Sequence, residues 1–255
     1  MKVIDWREKL EKFLSNFKYK DDLIGVLVCG SYITGHPTLH SDLDVHFVLN
    51  EGCDYRVRVT KIVDGLLIEG FVNTPQQIRE YFKEDYNEIQ QSSMNQFATG
   101  EIFLDKTGVI KKLKKEATKL IAKRFADVDN SISEVDKYAV WDMLDDLEDA
   151  YKEKRRDFDF VYYKNLDKLL SFICKFFKYP YGNKVIFRLD DAIIRKKYNL
   201  PEFEEREIGK MIKKAISTRS KRQKLNCFRW LSEKLWELTG GFDINTFDYK
   251  SRSSV

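Results

Sequence analysis

Histidine and cysteine are scarce in this chain, and the few present are poorly spaced for zinc. The 255 residues include three His, at 36, 40 and 46, and four Cys, at 29, 53, 174 and 227. No two cysteines form a Cys-x-x-Cys pair, so the tetrahedral N/S donor sets of zinc centres are not expected. Scattered thiols fit a reducing compartment, and the expectation is a cytoplasmic protein. No apolar run approaches the roughly 18 residues of a membrane span, so a membrane partner is not expected. The first ten residues carry Asp5, Arg7, Glu8 and Lys9, unlike a secretory leader. Charge of one sign is lacking too. The excess of +4 fits an anionic small molecule as readily as a nucleic acid.

What is present is concentrated early. Residues 28–46 contain Cys29-Gly30-Ser31 at the end of an apolar run and Ser41-Asp42-Leu43-Asp44 at the start of another. Side chains alternate across a strand, so Asp42, Asp44 and His46 share one face, with Leu43, Val45, Phe47 and Leu49 on the other. Adjacent carboxylates repel unless a cation lies between them. A hard divalent ion meets that need. His46 is read as structural, or as a support behind the carboxylates.

The surrounding pattern is that of an α+β sheet domain. Trp6, Leu10, Phe13, Leu14 and Phe17 have helical spacing. Strands are predicted over 23–29 and 43–49, with one helical turn at 32–35. Asp64-Gly65 between two alternating runs predicts a hairpin of 55–63 with 66–72. Glu69 lies within the second arm, where an isolated carboxylate is costly. If the hairpin extends the same sheet, Glu69 approaches Asp42 and Asp44. Thr74-Pro75 predicts a helix start. A second helix over 87–98, a short strand at 102–104 and a basic helix over 109–125 complete this half. From 127 onward the pattern is helical, with segments at 138–152, 160–177, 185–198, 203–217 and 220–239, the last closed by Gly240-Gly241. The tail from Phe242 is expected to be loosely held. Two domains are therefore predicted, 1–126 and 127–255.

Gly-Ser, a ten-residue spacer, Asp-x-Asp and a later strand carboxylate together resemble the nucleotidyltransferase superfamily that includes DNA polymerase beta. The resemblance covers about residues 20–110. With a helical second half, the chain looks most like the bacterial adenylyltransferases acting on kanamycin, streptomycin and lincosamides. That resemblance implies transfer of AMP from ATP to a hydroxyl of a small-molecule acceptor, with release of pyrophosphate, and a role in antibiotic resistance. It implies Mg²⁺, two ions, on Asp42, Asp44 and Glu69. Gly30, Ser31 and Ser41 would contact nucleotide. Lys184, in Tyr-Pro-Tyr-Gly-Asn-Lys, resembles a nucleotide-facing segment of some relatives. Glu69 would complete the second metal site or act as base on the acceptor hydroxyl; in the helical domain, which would bind the acceptor, Asp146 is the implied catalytic base, with Glu148 as alternative. Relatives often build the site between two subunits, which extends to a homodimer here.

The bland readings stand beside these. The acidic residues of 138–152 and the basic run 210–224 read as solvated helix faces. The basic run has no interleaved aromatics, so nucleic acid is not an expected partner. Two other functions fit the residues: AMP transfer to a protein, as in the minimal nucleotidyltransferases, and nucleotide binding without catalysis. The sequence leaves the acceptor, the choice of nucleotide and the base open.

Overall fold

A computed structural model describes residues 5–35, 37–181 and 191–250. The chain divides into two compact units, Met1–Ala126 with Lys197–Asn199, and Asp127–Lys196 with Leu200–Val255.

The first unit is built on a mixed five-stranded sheet of order β3-β4-β2-β1-β5. Its strands are β1 (Leu23–Cys29), β2 (Leu43–Leu49), β3 (Val57–Val63), β4 (Leu66–Asn73) and β5 (Glu101–Asp105). The pair β2/β4 is parallel, while β1/β2, β1/β5 and β3/β4 are antiparallel. The hairpin turn lies at Asp64 and Gly65, both with positive φ, which suits the right-handed twist of the arms. Helix α1 (Trp6–Ser15) covers one face. Leu10, Phe13 and Phe17 pack there against Val26, Val28, Val45, Phe47 and Ile68. Gly70 is required on this face, since a Cβ would come within 2.6 Å of the Phe47 ring.

A one-turn helix α2 (Ser31–Thr34) follows β1. The opposite face of the sheet carries α3 (Pro75–Asn87), α4 (Ser92–Thr99) and α5 (Val109–Ala122). Thr74 and Gln77 form a reciprocal capping box at the start of α3, with Pro75 in its first turn. The helix expected from residue 87 begins only at Ser92. Ile89 takes positive φ, and the Asp85 carboxylate accepts from the Ser93 and Met94 N–H groups, so a cap separates two helices. Likewise α5 stops short of the predicted Phe125, because Arg124 and Phe125 have positive φ.

The second unit is helical, and among the described residues it has no strand. It comprises α6 (Glu134–Lys152), α7 (Phe158–Phe176), α8 (Ala192–Lys197, which ends in the first unit), α9 (Arg206–Ser217) and α10 (Lys221–Leu238). The buried Tyr162 hydroxyl donates to the Ala215 carbonyl at 2.8 Å, tying α7 to α9. Lys224 meets Asp159 at 2.7 Å, tying α10 to α7. Over its described residues, 242–250, the tail is docked rather than loose. Phe242 stacks on Trp236, and Phe247 stacks on Tyr138 with centroids 4.6 Å apart. The sequence is thus α+β, a mixed sheet with helices followed by further helices. No helix among the described residues is long and apolar enough to cross a membrane.

Candidate metal centre

Sheet register brings three carboxylates together. Asp44 is the second residue of β2, and its parallel neighbour on β4 is Glu69. Asp42 directly precedes β2. One carboxylate oxygen from each of Asp42, Asp44 and Glu69 lies within 4.8 Å of the others. All three residues are half-buried. Three negative charges this close favour a cation between them, and the all-oxygen donor set fits a hard divalent ion.

Gly30 explains why the Gly-Ser pair belongs to this arrangement. Its φ is +75°, and a Cβ there would overlap the Asp44 carboxylate and lie 3.1 Å from Asp44 Cγ. Only glycine meets both demands without strain. The turn of α2 therefore starts against Asp44, with Ser31 as its first residue. Ser41 is used within its own loop. Its hydroxyl accepts from the Thr38 N–H at 2.8 Å, and its N–H donates to the Thr38 carbonyl at 3.1 Å. That small turn fixes the approach of the chain to Asp42.

Neighbouring groups report the negative potential. Burial pushes the Cys29 thiol well up, and Asp44 and Asp42 add to the rise. Tyr32 is raised by burial and by Asp42. His46 is buried, and burial lowers it to about 4, with a bond to Gln96 opposing and the Arg58 charge assisting the drop. It is a neutral ring, 3.0 Å from Gln96 through Nε2 and packed between Phe71 and Phe97.

One charged residue of the site went unread in the sequence. Arg58 Nη2 lies 2.7 Å from Glu69 Oε1. The signal was available: counting back from Asp64-Gly65 pairs Arg58 with Phe71, two residues beyond Glu69 on the same face.

The other expected residues lie elsewhere. Asp146 is an exposed residue of α6 in the second unit. Glu148, on the same helix, is engaged by Arg229 at 2.8 Å and Lys152 at 3.6 Å. Lys184 lies outside the described residues.

No protein-family model and no curated protein matches the chain. Among solved structures it is similar to a nucleotidyltransferase-like protein from Exiguobacterium sibiricum. The match covers 92% of this chain and 77% of that one, with 8% identity and a TM-score of 0.47. At that level the likeness carries no weight for the site, whose chemistry is read from its own side chains.

Proposed function

We propose that the chain is a metal-dependent nucleotidyltransferase that moves AMP from ATP to a hydroxyl of a small-molecule acceptor. The observation that carries this reading is the packing of the Gly30-Ser31 turn directly against Asp44, within a cluster of three carboxylates. A phosphate-holding turn and a metal-holding cluster placed side by side are what nucleotidyl transfer needs.

In this reading Asp42, Asp44 and Glu69 hold divalent ions, taken to be two Mg²⁺. Metal bound there would neutralise charge on the attacking and leaving oxygens of an in-line displacement. Gly30 leaves room for Asp44, and Ser31 with the first N–H groups of α2 holds the outer phosphates. Ser41 shapes the loop that delivers Asp42, beside the nucleotide contact the resemblance assigns it. The acceptor oxygen forms a bond to the α-phosphorus, and the bond from that phosphorus to the β-phosphate oxygen breaks. Pyrophosphate leaves, and the hydroxyl proton passes to a carboxylate base. Asp146 is the base proposed for the helical half, since Glu148 is already paired with two cations. Residues 127–255 would supply acceptor specificity, and an aminoglycoside- or lincosamide-like antibiotic is the proposed class.

The test is incubation with ATP labelled at the α-phosphate, Mg²⁺ and a panel of hydroxyl-bearing antibiotics. Labelled AMP on a small molecule is the expected result. Label on protein alone would turn the reading to protein AMP transfer. Nucleotide binding without transfer to any acceptor would leave a binding protein that has lost catalysis.

A further inference from the structure

Strand β3 is an edge of the sheet, and Arg58 stands on the face that carries Glu69. Its register partner is Phe71, and its guanidinium lies 4.1 Å over the Phe71 ring. Phe71 stacks in turn on the buried His46, with centroids 5.0 Å apart. The side chain of Arg58 thus rests on a fixed aromatic shelf, and its head meets one member of the carboxylate cluster, Glu69, at 2.7 Å.

Two features make this contact more than a surface ion pair. First, it uses a carboxylate whose oxygen also lies within 4.8 Å of those of Asp42 and Asp44. Arg58 and a metal ion therefore compete for the same ligand. Second, the contact is replaceable. The Arg58 side chain is 57% exposed, and exposed pairs are weak, whereas a divalent ion among three carboxylates gains from all of them. A cation–π shelf lets the guanidinium remain in place when its partner leaves.

We infer that Arg58 is the resident counter-ion of Glu69: it occupies this carboxylate when no metal is bound, yields it when a divalent ion enters, and so sets the metal affinity. This makes Arg58 a positioning residue acting through Glu69. The inference rests on reading the three carboxylates as a metal site. It does not depend on which group the protein transfers.

The experiment is binding of Mn²⁺ alone, followed by calorimetry and by the paramagnetic resonance of the free ion, with no nucleotide present. Arg58→Gln should bind Mn²⁺ about two- to fivefold more tightly than the unsubstituted chain, the size expected for release of one exposed pair. Arg58→Met, which keeps an apolar stem over Phe71, should repeat the gain. In a Glu69→Gln background the Arg58 substitution should change affinity less than twofold. Unchanged or weaker binding by both Arg58 variants overturns the inference. So does an equal gain with and without Glu69, because Arg58 would then act only as a distant charge. Asp42→Asn with Asp44→Asn separates the premise. If the unsubstituted chain does not bind Mn²⁺, or binds it equally well without these carboxylates, the metal site itself is refuted and the inference with it.

Discussion

At the scale of single residues, Gly30 is the position where the site tolerates least. Gly30→Ala would force a Cβ into the Asp44 carboxylate at a φ that side chains avoid. The expected outcome is a loss of about 1–3 kcal/mol in a denaturant melt, together with Mn²⁺ binding weakened about tenfold or more as Asp44 is displaced. His46 supplies a pH prediction. Its folded pKa is about 4, below the ordinary 6.5. As pH falls through 6.5 the unfolded chain takes up a proton that the native ring refuses, so stability declines between about 6.5 and 4. The shift corresponds to about 3 kcal/mol at full development. His46→Phe should flatten that part of the stability–pH curve measured by urea melts; an unchanged slope would show that the ring is not held neutral. The Asp42/Asp44 pair was legible from strand alternation alone. Arg58 was not singled out, because a charged residue on an edge strand looks like ordinary surface until the hairpin register is counted.

At the scale of elements, local punctuation carried most of the reading. β1, β2 and the hairpin turn lie where apolar runs and Asp64-Gly65 place them. Thr74-Pro75 opens α3 as its capping chemistry requires. The misplaced start of α4 comes from a side-chain contact, the Asp85 carboxylate capping the Ser93 and Met94 N–H groups, that periodicity does not register. The docked tail was missed for a similar reason. Its aromatic residues find partners, Trp236 and Tyr138, only once α10 and α6 are folded. Lys137 adds a bond to the Gly241 carbonyl at 3.0 Å. Deleting residues 242–255 should therefore lower the stability of the protein by about 1–3 kcal/mol, because two stacked aromatic pairs are lost; an unchanged melting curve would count against docking. The end of α4 makes another test. Lys114 donates to the carbonyls of Phe97, Ala98 and Gly100. Lys114→Met leaves these acceptors without their charged donor and should cost about 2–3 kcal/mol in thermal or urea melts.

At the scale of the whole molecule, the chain joins a sheet-based unit bearing the carboxylate cluster to a helical unit. The α+β class was readable because strand-like runs interleave with helical spacing up to Asp105, and helical spacing alone follows from Val109 onward. The identity of an acceptor was not, since helix faces rich in both charge signs carry no local code for a ligand. Under the proposed function, Asp42 and Asp44, set against Gly30-Ser31, support nucleotidyl transfer. The direct measurement is Mg²⁺-dependent release of pyrophosphate from ATP, with labelled AMP followed onto the acceptor, by the unsubstituted chain and by Asp42→Asn with Asp44→Asn. Transfer by the former, and a fall of about a thousandfold or more in the latter with its circular dichroism unchanged, is the predicted result. Undiminished transfer by the double variant would contradict the account.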